Sequence, residues 1–228
     1  MIGGSDGIGL AIAHALSSHG HRVAVTHHTR PAPPSMLSTP CDVTKPDDIE
    51  AAFTHTEQAH GPIELLTYAA GTPLSGLVAT TPDSDVMHSL DVNYLGAFRC
   101  LRRALPSMLC HHYGRIVLVS SGGAVTAMRG ASAYTASKTA LIALACSTAR
   151  EVATKGITVN SLLPGLTNAR MAHNLTPQQH TALLERTPMG RMITQEEVAS
   201  TAAFLLSDNA SGITGAAVPV DGGLSIRV

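Results

Sequence analysis

The chain has 228 residues, and its 15 lysines and arginines against 16 aspartates and glutamates leave a net charge of −1. This length suits a single domain whose core is large enough to fold without disulfides or a structural metal. Neither charge sign forms a long run, so the composition indicates neither nucleic acid nor an anionic membrane as a partner. The apolar stretches are too short or too interrupted by polar residues to span a bilayer, and we expect a small-molecule partner.

Cysteine and histidine usage gives no sign of a disulfide framework or a metal centre. The four cysteines are scattered without a C-x-x-C pair, which is typical of reduced thiols in a cytoplasmic protein. No signal-peptide pattern is visible, and we expect a cytoplasmic location. Adjacent histidines occur at 27–28 and 111–112, but no third ligand lies at a suitable spacing, so the sequence predicts no metal site.

The first element in the chain is a helix predicted over 7–19, directly after a glycine-rich segment. Gly3, Gly7 and Gly9 form a G-x-x-x-G-x-G pattern, which allows a tight turn and lets a pyrophosphate approach the amino terminus of the helix. A glycine cluster is often only a turn. Its position directly before an amphipathic helix favours the phosphate-binding interpretation.

A strand is missing from the pattern before this loop. Only Met1 and Ile2 precede Gly3, although the glycine loop of a doubly wound sheet follows a central strand. Without that strand, neighbouring backbone groups lose their partners, at a cost of about 1 to 3 kcal/mol for each buried group. We expect that the natural start lies upstream of Met1, so that restoring those residues raises thermal stability, or that another segment fills the gap.

Farther along the chain, apolar runs of strand length alternate with helical patterns, which indicates a parallel sheet. One strand is expected just before Asp42, and others are predicted over 23–26, 63–69, 116–120, 157–163 and 218–220. Helices are predicted over 46–60, 84–111, 132–155 and 195–206. Right-handed crossovers place such helices on both faces of the sheet. The predicted fold class is α/β, a Rossmann-like doubly wound parallel sheet forming one domain over 1–228, with its first strand truncated.

The segment 165–191 is the longest stretch without a clear strand or long helix. A short helix around 177–185 fits its sequence. A loop of this length before the last helix is the best candidate for a mobile lid over a substrate.

Three further features lie at strand ends or inside a helix. Asp42 follows a strand, where its carboxylate can accept from an adenine amino group or, equally well, cap the next helix. The small residues Ala70 and Gly71 end another strand and let the chain pass close to a ribose. Asn93 falls inside a long helix, where asparagine is mildly disfavoured, so it has either a specific role or a solvated position.

Tyr134 and Lys138 are four residues apart in the predicted helix 132–155, so their side chains share one face. An ammonium beside a phenol favours the phenolate, and we expect it to lower the tyrosine pKa enough for proton exchange near neutral pH. Ser121 precedes Tyr134 by thirteen residues, at the end of a predicted strand. The alternative is a half-buried aromatic and a serine in a turn.

Together these motifs resemble the short-chain dehydrogenase/reductases, and within them the 3-oxoacyl-[acyl-carrier-protein] reductases, from Gly3 to Gly223. The residues that carry the resemblance are Gly3, Gly7, Ile8 and Gly9, then Ala70-Gly71, Asn93, Ser121, Tyr134 with Lys138, Pro164-Gly165, and Val220 to Gly223. Three positions depart from the family pattern, namely Ile2 for threonine, Ala69 for asparagine and Ala169 for a threonine that Thr167 can replace. These departures are expected to weaken cofactor binding, by about tenfold or less each, more than chemistry.

The resemblance implies a role for each matching residue. Tyr134 would exchange the proton of the reacting oxygen, Ser121 would hydrogen-bond that oxygen, and Lys138 would hold the nicotinamide ribose. Asn93 would bind a water that connects Lys138 with solvent. The cofactor-binding set is Gly3, Ser5, Asp6, Gly7, Ile8, Gly9, His27, His28, Asp42, Val43, Ala70, Gly71, Tyr134, Lys138, Pro164, Gly165 and Thr167.

The segment 26–30 decides the expected cofactor. It carries no acid to bind a ribose 2′-hydroxyl, which favours NADPH, whereas Asp6 would repel a 2′-phosphate and leaves NADH as the alternative. The resemblance implies a ketone substrate, in particular a 3-oxoacyl thioester in fatty-acid or polyketide synthesis, with acyl carrier protein as a candidate partner. His112 and Lys155 match the basic positions that relatives use beside the active-site mouth, but both also read as helix-end cations facing water.

Two other functions remain open on the sequence. One is an NAD-dependent secondary alcohol dehydrogenase, and the other is a catalytically silent nucleotide-binding scaffold. The joint presence of Asn93, Ser121, Tyr134 and Lys138 argues against the scaffold. By resemblance, the subunits are expected to pair through the helices predicted over 84–111 and 132–155, as a tetramer or a dimer.

Overall fold

The computed structural model describes residues 1–168 and 177–226, except for the side chains of residues 177 and 179. Its strands are β1 (Ala24–His27), β2 (Leu37–Pro40), β3 (Leu65–Tyr68), β4 (Gly114–Val119), β5 (Ile157–Pro164) and β6 (Ala217–Val220). Its α-helices are α1 (Gly7–Ser18), α2 (Pro46–His60), α3 (Asp83–Leu90), α4 (Gly96–His111), α5 (Gly123–Thr126), α6 (Ser132–Val152), α7 (Pro177–Glu185) and α8 (Gln195–Leu205). Every strand pair among these is parallel, and the neighbours are β2-β1 and β3-β4-β5-β6.

Two residues connect these groups of strands. The N–H of Ile2 donates to the Thr67 carbonyl of β3 at 2.9 Å, and on the other side the Met1 carbonyl accepts from the N–H of Thr26 in β1, also at 2.9 Å. Beside them, a cavity of about 250 Å³ separates the amino ends of β1 and β3. Met1 and Ile2 therefore fill the place of the predicted truncated strand at one end only.

Helices cover both faces of the sheet, as the side chains of β4 demonstrate. Ile116 and Leu118 join a core formed with α2, α4 and α6, whereas Val117 and Val119 join a second core formed with α1 and α8. Successive residues of a strand point to opposite faces, so a strand buried on both sides has an unbroken apolar sequence. The predicted doubly wound arrangement is present.

Local sequence signals set the ends of the best-predicted helices. α2 begins with Pro46 in its first turn and ends before Gly61, which adopts a φ of 85° that a glycine tolerates without strain. α8 begins with a capping box between Thr194 and Glu197, in which each side chain accepts from the backbone N–H of the other residue. These helices match the predicted ranges to within one residue.

Other elements differ from the prediction. The helix predicted over 84–111 is divided, because a π-helical turn at Asp91–Leu95 separates α3 from α4. A π turn inserts an extra residue into the ladder and often marks a functional position. The helix α5 was not predicted, and α6 ends at Val152 with a short 3₁₀ turn after it. Within the described ranges, no helix is long and apolar enough to cross a bilayer.

Candidate active site

Ser121 and Tyr134 lie at the carboxyl edge of the sheet. Ser121 follows β4, and Tyr134 lies in the first turn of α6. Their side chains share a hydrogen bond that lowers the pKa of Tyr134, but burial has the larger effect and the pKa is raised above its usual range. Tyr134 therefore keeps its proton at neutral pH and has a hydroxyl partner beside it.

Lys138 lies one helical turn beyond Tyr134, and its side chain is buried with 4% exposure. The ammonium donates to the Val119 carbonyl at 3.0 Å, and the Ser120 hydroxyl donates to the Lys138 carbonyl at 2.7 Å. Burial lowers the pKa of Lys138 to about 8. The lysine is thus fixed against the end of β4.

The direction of the tyrosine pKa shift corrects the sequence prediction. We expected the Lys138 ammonium to lower the pKa of Tyr134, whereas burial raises it. The physical reason is desolvation, which disfavours the phenolate and cannot be read from an i, i+4 spacing. A protonated phenol is the form required for giving a proton to a carbonyl oxygen.

Asn93 is fully buried in the π turn between α3 and α4. Its amide nitrogen donates to the Thr72 carbonyl at 3.1 Å and to the Ser137 hydroxyl at 2.9 Å, and its oxygen accepts from the Thr72 N–H at 2.8 Å. The alternative of a solvated position is therefore wrong. Asn93 joins the segment after β3 to the helix that carries Tyr134 and Lys138.

Gly71 faces the point where two of these polar groups converge. A Cβ atom built there would lie 3.1 Å from the Lys138 ammonium and 3.2 Å from the Asn93 amide oxygen. Such contacts are tighter than nearly all that real Cβ atoms make. The glycine therefore leaves space between the end of β3 and the buried lysine.

The glycine loop packs tightly against the end of β3. Gly3 has a φ of 74°, and a Cβ built on it would lie 2.6 Å from the backbone nitrogen of Ala70. A Cβ on Gly9 would collide with the carbonyl oxygen of Gly3. Asp6 caps α1, since its carboxylate accepts from the Gly7 N–H at 2.8 Å. The loop thus has the close backbone contacts that the glycine pattern predicts.

Asp42 forms a local turn with Thr44, before α2 begins. Its carboxylate accepts from the Thr44 N–H at 3.0 Å and from the Thr44 hydroxyl at 2.7 Å, and the hydroxyl contact lowers the pKa of Asp42. Helix capping is therefore wrong, because α2 has Lys45 at its N-cap without a side-chain hydrogen bond, and the adenine contact of Asp42 stays a prediction. His28 and Lys45 approach the other carboxylate oxygen at 4.0 and 3.9 Å.

A cavity of about 1150 Å³ opens between the glycine loop and Tyr134. The predicted residues that line it are Asp6, Gly7, Ile8, Gly9, Gly71, Ser121, Tyr134, Lys138, Pro164, Gly165 and Thr167. Those that are not among its lining residues are Gly3, Ser5, His27, His28, Asp42, Val43, Ala70 and Asn93. Gly3, Ala70 and Asn93 instead contact or position residues that do line it.

Sequence reasoning missed several lining residues, because no motif marks them. They are Thr29, the loops 73–77 and 126–131, Leu183 and Arg186 at α7, and Leu224. The predicted short helix of the lid segment is α7, with the predicted bounds, while Ala169 lies outside the described residues.

Among the residues described, no group of three or more histidines, cysteines and acids could hold a metal ion.

Of the two interpretations left open for His112 and Lys155, exposed helix-end cations agree with the structure, and basic residues at the mouth of the cavity do not. His112 ends α4 just before β4, and Lys155 lies just before β5, so both are at the amino ends of these strands. Ser121 and Pro164 lie at the carboxyl ends of the same strands. Because the strands are parallel, the two cations lie at the opposite edge of the sheet from the cavity.

The residues present fit a bound dinucleotide. The glycine loop has no side chains at the positions where a Cβ atom would collide with neighbouring backbone. The amino terminus of α1 is directed at the cavity, and the cavity is large enough for a dinucleotide. A glycine loop of this kind facing a serine, a tyrosine and a lysine defines a dinucleotide-dependent oxidoreductase acting on a carbonyl or hydroxyl group.

A family model described as "Enoyl-(Acyl carrier protein) reductase" matches residues 3–225. The chain belongs to the short-chain dehydrogenase/reductase family.

Individual relatives agree with this assignment. The 3-oxoacyl-[acyl-carrier-protein] reductase MabA of Mycobacterium avium is 37% identical over 226 residues, covering 99% of this chain and 89% of the relative. The reductase FabG of Salmonella typhimurium is 32% identical over 232 residues, covering 98% and 95%. The family, and with it the oxidoreductase activity predicted from the motifs, is confirmed.

Solved structures confirm the predicted fold class. A variant of actinorhodin polyketide ketoreductase crystallised with NADPH has a TM-score of 0.93 at 29% identity, covering 99% of this chain and 96% of that one. The ligand-free aldohexose dehydrogenase of Thermoplasma acidophilum has a TM-score of 0.91 at 32% identity, covering 100% and 93%.

Proposed function

We propose that this enzyme uses NADPH to reduce a ketone, in particular a 3-oxoacyl thioester borne by acyl carrier protein in fatty-acid or polyketide synthesis. The observation that carries the proposal is the pair formed by Ser121 and Tyr134, in which the phenol is protonated and borders a large cavity. The two relatives named as 3-oxoacyl-[acyl-carrier-protein] reductases and the polyketide ketoreductase support this substrate class.

The chemistry divides between the cofactor and the protein. The nicotinamide supplies a hydride when it is bound. Tyr134 gives its proton to the carbonyl oxygen of the substrate, and the Ser121 hydroxyl donates a hydrogen bond to the same oxygen as negative charge develops on it. Lys138 would hold the nicotinamide ribose, and Asn93 positions the helix that carries Tyr134 and Lys138 through its contact with Ser137.

The same proposal assigns the cofactor-binding residues. The amino terminus of α1 and the glycines of its loop would hold the pyrophosphate. Pro164-Gly165 and Thr167, which line the cavity, would hold the nicotinamide, and Asp42 and Val43, which do not line it, would hold the adenosine end. Thr167 is buried and pairs with Ile193, so its position is fixed.

An ion pair supports the preference for NADPH. The Arg30 guanidinium lies 3.4 Å from the Asp6 carboxylate, so the charge expected to repel a 2′-phosphate is offset by a cation on the segment after β1. We expect the Arg30→Ala substitution to raise the KM for NADPH about tenfold and to leave the KM for NADH nearly unchanged. Steady-state kinetics with both cofactors measures this, and Arg22→Ala is the matched surface control. Equal losses with both cofactors would contradict a 2′-phosphate role.

The function itself is tested with a neutral substrate. Acetoacetyl-N-acetylcysteamine, a small 3-oxoacyl thioester, is incubated with the enzyme and NADPH, and cofactor oxidation is followed by absorbance. We expect turnover to the 3-hydroxy thioester. If the protein binds NADPH yet reduces neither this thioester nor a panel of simple ketones, the proposal is wrong and a nucleotide-binding scaffold is favoured.

Two further expectations belong to this proposal. We propose that the enzyme is a cytoplasmic homo-oligomer, a tetramer or dimer, that pairs through α3–α4 and α6. Exposed apolar side chains along α3 and α4 support this, namely Met87, Leu95, Phe98 and Leu109. We also propose that the segment 165–191 forms a lid over the substrate, of which residues 169–176 lie outside the described part of the chain.

A further inference from the structure

The large cavity contains cations that neither the nucleotide-binding motifs nor the catalytic residues use. Among its described lining residues, the charged side chains are Asp6, Arg129, Lys138 and Arg186. Asp6 is paired with Arg30, and Lys138 is buried against β4. Arg129 and Arg186 are both exposed to solvent. These two arginines therefore need a separate explanation.

Both arginines belong to one part of the cavity. We define its substrate end as the lining residues of the loops 73–77 and 126–131 and of α7 and its carboxyl terminus, since these segments belong to no nucleotide-binding motif. No carboxylate occurs among the described lining residues of this end. Its other side chains are mostly apolar, including Leu74, Leu77, Met128 and Leu183. The substrate end thus combines an apolar wall with two guanidinium groups.

The backbone of the loop 126–131 is held in an unusual conformation just before Arg129. Ala127 has a φ of 47° and a ψ of 142°, a region that residues other than glycine rarely occupy. Such strain persists only where the surroundings impose it, and it is concentrated at functional sites. The N–H of Gly76 donates to the Gly130 carbonyl at 2.8 Å and ties this loop to the loop 73–77. Arg129 is therefore carried by a constrained segment.

Arg186 is also placed by buried neighbours. It lies between Glu185, the last residue of α7, and Thr187, which is 4% exposed. The Thr187 hydroxyl donates to the Leu183 carbonyl at 2.8 Å, and its methyl group packs against Gly222, where a Cβ would lie only 2.9 Å away. The carboxyl terminus of α7 is thereby anchored to the body of the domain.

We propose that Arg129 and Arg186 bind a phosphate group carried by the ketone substrate, and that they select phosphate-bearing thioesters over neutral ketones. The inference rests on the proposed function, because it identifies the substrate class for that site. Guanidinium groups suit this task, since the fixed geometry of their N–H donors matches phosphate oxygens. His112 and Lys155 lie at the opposite edge of the sheet from the cavity, so they do not provide cations for a phosphate bound in it.

Direct binding tests the proposal without requiring turnover. The probes are 4′-phosphopantetheine and pantetheine, which differ only in the phosphate, titrated by calorimetry into the enzyme saturated with NADP⁺. We expect the phosphorylated probe to bind at least about tenfold more tightly to the natural enzyme, and the difference to vanish in the Arg129→Gln, Arg186→Gln double variant. Arg102→Gln, an exposed arginine away from the cavity, is the matched control and should retain the difference.

Turnover then separates the sources of the phosphate. Each single variant should raise the KM for acetoacetyl-phosphopantetheine about tenfold, while the KM for acetoacetyl-N-acetylcysteamine stays unchanged. An effect of similar size on acetoacetyl-coenzyme A assigns the contact to the phosphate nearest the thioester. An effect on the coenzyme A substrate alone assigns it to the nucleotide phosphates.

Three results would overturn the inference. The first is equal affinity of the natural enzyme for 4′-phosphopantetheine and pantetheine. The second is an equal rise in KM for neutral and phosphorylated thioesters in the arginine variants. The third is a loss of NADPH affinity in these variants that is large enough to explain the whole change in KM. If the natural enzyme reduces no thioester but still prefers 4′-phosphopantetheine, the proposed reaction is wrong and the phosphate site stands. The melting temperature of each variant confirms folding.

Discussion

Replacing Tyr134 by phenylalanine is expected to lower kcat by about a thousandfold, because the change removes the group that gives its proton to the substrate. The phenyl ring keeps the volume, so the fold and the cavity should persist. NADPH binding, measured by the fluorescence of the cofactor, should change little. The chain contains no tryptophan, so no indole emission interferes with that measurement.

The matched control is Tyr113→Phe. This tyrosine donates from its hydroxyl to Asp208 at 3.0 Å and lies before β4, away from the cavity. The Tyr113→Phe variant also loses a phenolic hydroxyl, but at a position remote from the cavity, and we expect its kcat to be close to that of the natural enzyme. Full activity of the Tyr134→Phe enzyme would remove the basis for the mechanism.

Replacing Gly9 by alanine is expected to weaken NADPH binding by about ten- to a hundredfold. The new Cβ would collide with the Gly3 carbonyl oxygen and lie 3.2 Å from the Cα of Gly4, so the loop must open. An opened loop no longer directs its N–H groups at the pyrophosphate. Titration of the cofactor into the variant gives the dissociation constant directly.

Gly212→Ala is the control for the Gly9 substitution. No atom lies within 4 Å of a Cβ built at Gly212, so the change should alter neither cofactor affinity nor thermal stability noticeably. Unchanged NADPH affinity in the Gly9→Ala enzyme would show that the pyrophosphate binds elsewhere. A loss of folding in that variant would be detected by its melting temperature and separated from a binding defect.

Local signals were sufficient for much of the fold. Pro46 and Gly61 mark the ends of α2, and the apolar run 116–120 predicted a strand, which is β4 in the structure. The π turn at Asn93 was not predicted, because it depends on the buried contacts of that amide with Thr72 and Ser137. Short-range patterns report helix propensity, whereas a π turn reflects packing between distant segments.

The electrostatics of the site required the folded structure. Tyr134 and Lys138 both line the cavity, but the direction of the tyrosine pKa shift depends on desolvation. The sequence could not decide whether His112 and Lys155 border the cavity, because a motif match fixes a position in the chain and not a side of the domain. The burial of a side chain, and the edge of the sheet at which it lies, are set only when the whole sheet is assembled.

By itself, the sequence indicated the parallel α/β class, the glycine loop and the residues Ser121, Tyr134 and Lys138, because each is recognised from a pattern or a spacing along the chain. Only the tertiary structure decided that Arg129 and Arg186 share a cavity with them. These arginines come from separate loops, whose meeting depends on long-range contacts such as the Gly76 to Gly130 hydrogen bond and the anchoring of Thr187. Residues brought together by folding leave no common pattern in the chain.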